Sequence, residues 1–174
     1  DPANGVASLN LGELRREAIG RDPFLADILS SELLNELSTI SDQRSLQVTR
    51  NTSVEEELLA SFNALLEANV DIVLGTDAGA IPDHPFGYTG HRELEIYVRL
   101  GMSTMEALMA GTSKAASHLQ LNDTGSLQPG FRADFVVLKK NPLEDIRNTR
   151  TILAVYLGGR SVDRESLRDK WQDP

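Results

Sequence analysis

The 174-residue chain has no cysteine. Disulfides, thiolate metal sites and a cysteine nucleophile are therefore excluded. The compartment stays undecided, because secreted proteins without disulfides exist. Aromatics make up only 5% of the chain, with one Trp, and no basic patch interleaved with aromatics occurs. Arg92, Tyr97 and Arg99 share a segment but sit among acidic residues. Lys and Arg number 17 against 26 Asp and Glu, a formal net charge of -9. Such a surface repels phosphate backbones, so no nucleic-acid partner is expected. No apolar run approaches the roughly 20 residues of a membrane helix, so no membrane partner is expected either. The chain opens Asp1-Pro2-Ala3-Asn4, without Met or a signal-peptide pattern. This leads to the expectation of a cut inside a longer chain, or of a processed end.

What is present fits a soluble globular protein: 40% hydrophobic and 25% charged residues, in a length that suits roughly one to one and a half domains. Residues 1–12 read as loop, and residues 13–19 could form one or two helical turns stopped at Gly20. Pro23 suits a helix start, and Leu25, Ile28, Leu29, Leu33 and Leu37 then repeat at helical spacing, as an ordinary core face. Residues 41–52 are polar and read as a linker. Ser53 and Glu56 make a capping-box pattern ahead of Val54, Leu58, Phe62 and Leu65. A second helix is expected from about Arg92 to Leu100 with Gly101 beyond its end. A third opens at the Ser103–Glu106 capping box, carries Met105, Leu108, Met109, Thr112 and Ala116, and reaches about Leu119, with Thr112 facing the core. Beyond residue 121 the character changes. Residues 134–138 and 151–157 read as strands, and Gly158-Gly159 signals a hairpin returning through 160–162. A charged tail is expected over 163–174. The domain boundary falls at 121, giving 1–121 and 122–174.

The most informative stretch is 70–79, Val-Asp-Ile-Val-Leu-Gly-Thr-Asp-Ala-Gly. An apolar run ends at Gly75 and Asp77 follows in a small-residue turn. A buried strand after a helix is the grammar of a parallel sheet, and in α/β barrels catalytic groups stand at the strands' C-terminal edge. A carboxylate there can hold a metal or take a proton. The alternative is an Asp that bonds its own turn backbone beside Gly79.

Several segments together resemble the C-terminal part of the amidohydrolase superfamily, near its imidazolonepropionase and Xaa-Pro dipeptidase branch. They are Gly75-Thr76-Asp77-Ala78-Gly79, His91-Arg92-Glu93-Leu94-Glu95, residues 100–108, Ala110-Gly111-Thr112-Ser113, residues 124–138, Asn141-Pro142-Leu143-Glu144-Asp145-Ile146 and residues 155–160. Each alone is weak; the ordered set over about residues 53–163 is specific. The resemblance implies an α/β fold, the C-terminal fragment of a (β/α)8 barrel carrying its last strand, followed by part of a small β-sandwich built from both chain ends. It implies a metal-dependent hydrolase of C–N bonds, cyclic amide or peptide-like, acting through metal-activated water. It implies a divalent metal, with zinc expected and one or two ions in the complete protein. Asp77 matches the position that binds the metal and takes the proton, and His91 borders the substrate pocket, as a substrate contact or as a helix-start residue.

The family's remaining ligands are a His-x-His pair on the first strand, a Lys or Glu on the fourth and histidines on the fifth and sixth. This chain has three histidines, His84, His91 and His118, all after Asp77. The expectation is that the chain begins beyond the seventh strand and is inactive alone, its partners being the missing N-terminal part of the barrel and a small-molecule or dipeptide-like substrate. Open strand edges also invite pairing between copies as a homo-oligomer. Residue by residue, His84 reads as a solvated loop residue, His118 as a helix-end cation, Glu93 as a cap or ion-pair partner and Asp134 as structural. Ser113, His118 and Asp77 are not expected to form a triad. The competing reading is a non-catalytic remnant or interaction module in which Asp77 is structural.

Overall fold

The computed structural model describes residues 22–47, 52–80 and 84–172. The loop expected over 1–12 and the turns over 13–19 lie outside them. Helix α1 (Pro23–Ile28) starts where the sequence places it: Pro23 occupies the first helical position and the Asp22 carboxylate accepts from Phe24 N at 3.0 Å. The apolar stripe does not run on as one helix. Leu29 is extended and donates to Leu25 O, and α2 (Ser31–Gln47) follows. This second helix absorbs residues 41–47, expected as linker, because Gln43, Arg44, Leu46 and Gln47 are good helix formers with no Gly or Pro among them. Helix α3 spans Thr52–Glu67, and the capping contacts expected of the Ser53 side chain lie outside what is described. Asn69, in the left-handed region at φ 53°, ends it.

Helix α4 (Tyr88–Arg99) begins four residues ahead of expectation and stops as expected, with Gly101 at φ 114° just past the Leu100 cap. Helix α5 (Thr104–Ala110) opens on the Ser103–Glu106 capping box, both halves of which form. It is not continuous to Leu119. Gly111 and Thr112 interrupt it, and α6 (Ser113–His118) follows. Within α5 the buried residues are Ala107 and Ala110 while Met105 and Met109 are exposed; beyond it Ala116 is buried and Thr112, expected to face the core, is exposed. Thr112 spends its hydroxyl on Leu108 O at 2.7 Å.

A three-stranded antiparallel sheet ends the fold: β1 (Phe135–Leu138), β2 (Ile152–Leu157) and β3 (Arg160–Ser161), in that order. Phe135 pairs with Tyr156 and Val137 with Ala154, and the register shifts before Leu138. Gly158 and Gly159 at φ 55° and 76° make the tight hairpin turn. Asp134 is structural, accepting from Gly158 N at 2.6 Å and pairing with Arg132 at 2.8 Å. A 3-10 helix, Ile146–Arg150, joins β1 to β2. The expected tail is helical instead, as α7 (Arg164–Gln172), with the Asp163 carboxylate accepting from Ser166 N at 3.0 Å.

The main core gathers Phe62, Ile72, Leu94, Tyr97, Leu100, Met102, Ala107 and Ile146, so residues of α3, α4, α5 and the 3-10 helix share the core with Ile72. Leu25, Leu37 and Tyr88 form a second cluster. Residues 70–77 carry no regular strand. This corrects the expected strand at 70–75, and the reason is physical: a strand exists through bonds to a neighbouring strand, and none flanks this segment among the described residues. No helix among those residues is long and apolar enough to cross a membrane.

Candidate functional site

The segment that carries Asp77 is tied down from the helix layer. Ile72 is 1% exposed. Val73 O accepts from the Tyr97 hydroxyl of α4 at 3.0 Å, and Leu74 N donates to Ala110 O at the end of α5 at 3.0 Å. The chain then leaves the core. Asp77 is exposed and sits at φ 51°, a conformation that Asp tolerates better than most residues. Its backbone carbonyl accepts from Ala80 N at 3.2 Å, and Gly79 N donates to His84 O at 2.8 Å. The turn's side-chain acceptor is Thr76 Oγ1, which takes Ala78 N at 3.3 Å. The Asp77 carboxylate takes no hydrogen bond from the turn among the described residues.

A carboxylate in this posture suits one metal ligand. A catalytic centre takes three protein ligands with water in the open position, and no cluster of three such side chains occurs among the described residues. The described residues therefore gather no complete centre.

The histidines go different ways. His84 is buried at 7% exposure, against the expectation of a solvated loop residue, because its segment folds back onto the Asp77 turn through Gly79. His118 ends α6 and is exposed, as expected. It lines a half-open cleft with Asp71, Ser113, Lys114 and Ser117, where Lys114 pairs with Asp71 at 3.0 Å. Ser113 and His118 thus meet near Asp71 rather than Asp77, and no hydrogen bond joins them into a triad.

His91, in the first turn of α4, places Nδ1 3.0 Å from Thr149 Oγ1. Thr149 has one hydroxyl hydrogen and gives it to Ile146 O at 2.9 Å. By elimination Nδ1 carries the ring hydrogen and donates, leaving Nε2 as the acceptor nitrogen. Burial, and then the neighbouring Arg150 guanidinium, lower the His91 pKa from 6.5 to about 4, so the ring is neutral. Phe24 packs edge-on to it at 5.7 Å.

Beside His91 lies a charge network that the sequence did not reveal. Arg150 pairs with Asp22 and with Glu95, and Arg92 pairs with Glu95 at 2.8 Å. The Tyr88 hydroxyl donates to Asp22 at 3.2 Å, and burial, followed by the Asp22 charge, pushes its pKa up. Arg150 also stands over the Phe24 and Tyr88 rings, 5.7 and 5.3 Å from their centroids. Glu95 takes these ion pairs, while Glu93, the residue expected to cap or ion-pair, is fully buried. These partners are 66 and 128 residues apart, beyond any local spacing rule. Tyr97 escaped notice for the same reason, its signal being a lone polar atom on an otherwise apolar helix face.

Comparison with known proteins places this arrangement in context. The model of the amidohydrolase family matches residues 26–162. Ochratoxinase from Aspergillus niger is 36% identical over 108 residues, covering 59% of this chain and 21% of that protein. Imidazolonepropionase from Deinococcus deserti is 37% identical over 109 residues, covering 62% of this chain and 24% of that protein. Among solved structures, molinate hydrolase superposes with a TM-score of 0.59 at 32% identity, over 63% of this chain and 27% of that one. A Xaa-Pro dipeptidase with methionine bound in its active site gives 0.55 at 30% identity, over 64% and 27%. The chain therefore spans about a quarter of the length of the relatives it matches. With the family model covering most of its length, the chain belongs to the amidohydrolase family.

Proposed function

We propose that this chain is the C-terminal portion of a hydrolase that cleaves C–N bonds in small peptide-like or cyclic amide substrates with a divalent metal, zinc by expectation, and water. Family membership and the hydrolase names of the relatives support the reaction class, and the quarter-length coverage supports the reading as a portion of a barrel and of its sandwich. The observation that carries the site is Asp77, an exposed carboxylate without a hydrogen bond among the described residues, at the end of a clamped segment. Asp77 would be one metal ligand, the others coming from outside the described residues. A divalent ion bound there lowers the pKa of its water towards neutrality, and Asp77 would hold and pass on the proton. His91 would meet a substrate only through Nε2, since Thr149 engages Nδ1. The boundary at 121 and self-association through open edges belong to the same reading.

The test is Asp77→Asn in the active protein. An amide oxygen still reaches a metal but carries no proton, so turnover is expected to fall at least about a hundredfold. Retention of most activity removes Asp77 from the mechanism.

A second reading, a non-catalytic module, draws on the absence of three gathered ligands among the described residues. Metal analysis after exhaustive dialysis separates the two: stoichiometric zinc or manganese in a protein that turns substrate over favours a catalytic centre, and none in a protein that shows no turnover favours the module.

A further inference from the structure

We propose that Tyr97 is a positioning residue for Asp77, its buried hydroxyl acting with the Ala110 carbonyl as a clamp that fixes where the core segment ends and the Asp77 turn begins. The proposal rests on the reading of Asp77 given above. The observations are these. Tyr97 is 1% exposed, and its ring packs on Phe62 at 5.7 Å. A Phe would fill that space, and burying a hydroxyl is costly unless it is bonded. The hydroxyl gives its hydrogen to Val73 O at 3.0 Å. One residue on, Leu74 N gives its single hydrogen to Ala110 O. Two different helices thus hold adjacent residues, and that amide cannot also serve a neighbouring strand.

The consequence follows along the chain. With 73 and 74 held, Gly75 and Thr76 are the only residues between the clamp and Asp77. The turn beyond is joined by the Thr76, Asp77 and His84 contacts at 2.8–3.3 Å. Asp77 occupies the left-handed region, which most side chains disfavour. Such a conformation persists when its surroundings over-determine it. Tyr97 is the only side chain from another element that bonds this backbone among the described residues 72–80. Glu93 lies one turn earlier on the same buried side of α4.

The experiment is Tyr97→Phe in the full chain, followed by amide hydrogen exchange. Phe keeps the ring against Phe62, so the fold is retained. The amides of residues 74–79 are expected to exchange about tenfold faster, with those of α4 and α5 unchanged. In the active protein, kcat is expected to fall about tenfold at nearly constant KM, and Tyr97→Phe is expected to cost nothing further in an Asp77→Asn background. Unchanged exchange at 74–79, or an equal rise across α4 and α5, would make Tyr97 mere core filling and overturn the proposal. A full tenfold loss in the Asp77→Asn background would overturn it as well. Should Asp77→Asn alone keep its turnover, the reading of Asp77 falls, while the exchange result still decides the clamp.

Discussion

His91 offers a pH experiment whose size follows from its surroundings. Burial and the Arg150 guanidinium depress its pKa from 6.5 to about 4. An unfolded chain takes up this proton as pH falls through 6.5; the folded chain resists until about 4. Stability tied to the neutral ring is therefore complete above 6.5 and is lost as pH falls through that window. At about 1.36 kcal/mol per pH unit the full loss is about 3 kcal/mol, a ceiling because the ring is only half-buried. At about pH 5.5, before most carboxylates titrate, the expected loss is about 1.4 kcal/mol. The control is His91→Asn, whose side-chain amide stands where Nδ1 stands and can still donate to Thr149. Urea unfolding of both proteins between about pH 8 and 5.5 cancels His84 and His118, which the two share. The wild-type chain should lose about 1.4 kcal/mol more than the variant. A difference that stays constant across that range would show that the ring is hydrated or already paired when charged, and the burial argument would be refuted.

Arg150→Met removes the shared cation from Asp22 and Glu95, whose side chains are 9% and 11% exposed. Arg92 and Tyr88 keep one bond to each carboxylate, so the loss should lie near about 3 kcal/mol, the low end for breaking a buried pair, read by chemical denaturation. Combining it with Asp22→Asn should recover part of that loss, because the carboxylate deprived of its cation is then neutral while Glu95 keeps Arg92. Gly125→Ala should cost at least about 2 kcal/mol in the same assay. Gly125 sits at φ 82°, and a Cβ there would lie 2.6 Å from Ala116 Cβ and 2.9 Å from Thr112 O.

The readable parts of the sequence were those governed by neighbours a few residues away. Pro23, the Ser103–Glu106 box, Gly101 and the Gly158-Gly159 turn each act within one turn of chain, and each stands as expected. The strands at 135–138 and 152–157 were legible as β-branched and aromatic runs, the second closed by Gly158-Gly159. Helix continuity was harder. Gly111 followed by Thr112 divides α5 from α6, and no periodicity count sees a break that costs so little in apolar spacing. Asp77 was found by its place after an apolar run and by family resemblance. Its supports, Tyr97 and Ala110, were not, since a hydroxyl meeting a backbone carbonyl 24 residues away leaves no pattern. The Arg150 network lay deeper still, joining three segments by charge alone.

Asp22 also orders events in time. One of its carboxylate oxygens caps α1; the other receives Tyr88 and Arg150, 66 and 128 residues away. A helix of six residues falls well short of the roughly 12–15 that stand alone in water, so the cap by itself holds nothing. The distant bonds require the longest closure in the described chain, whose entropy must be met before they form. Helix α1 is thus expected to arrive late, settling after α4 and the 3-10 helix have come together and placed a cation beside its N-cap Asp22. Substitutions in α1 should accordingly speed unfolding and leave the refolding rate nearly untouched, as expected of contacts absent from the transition state.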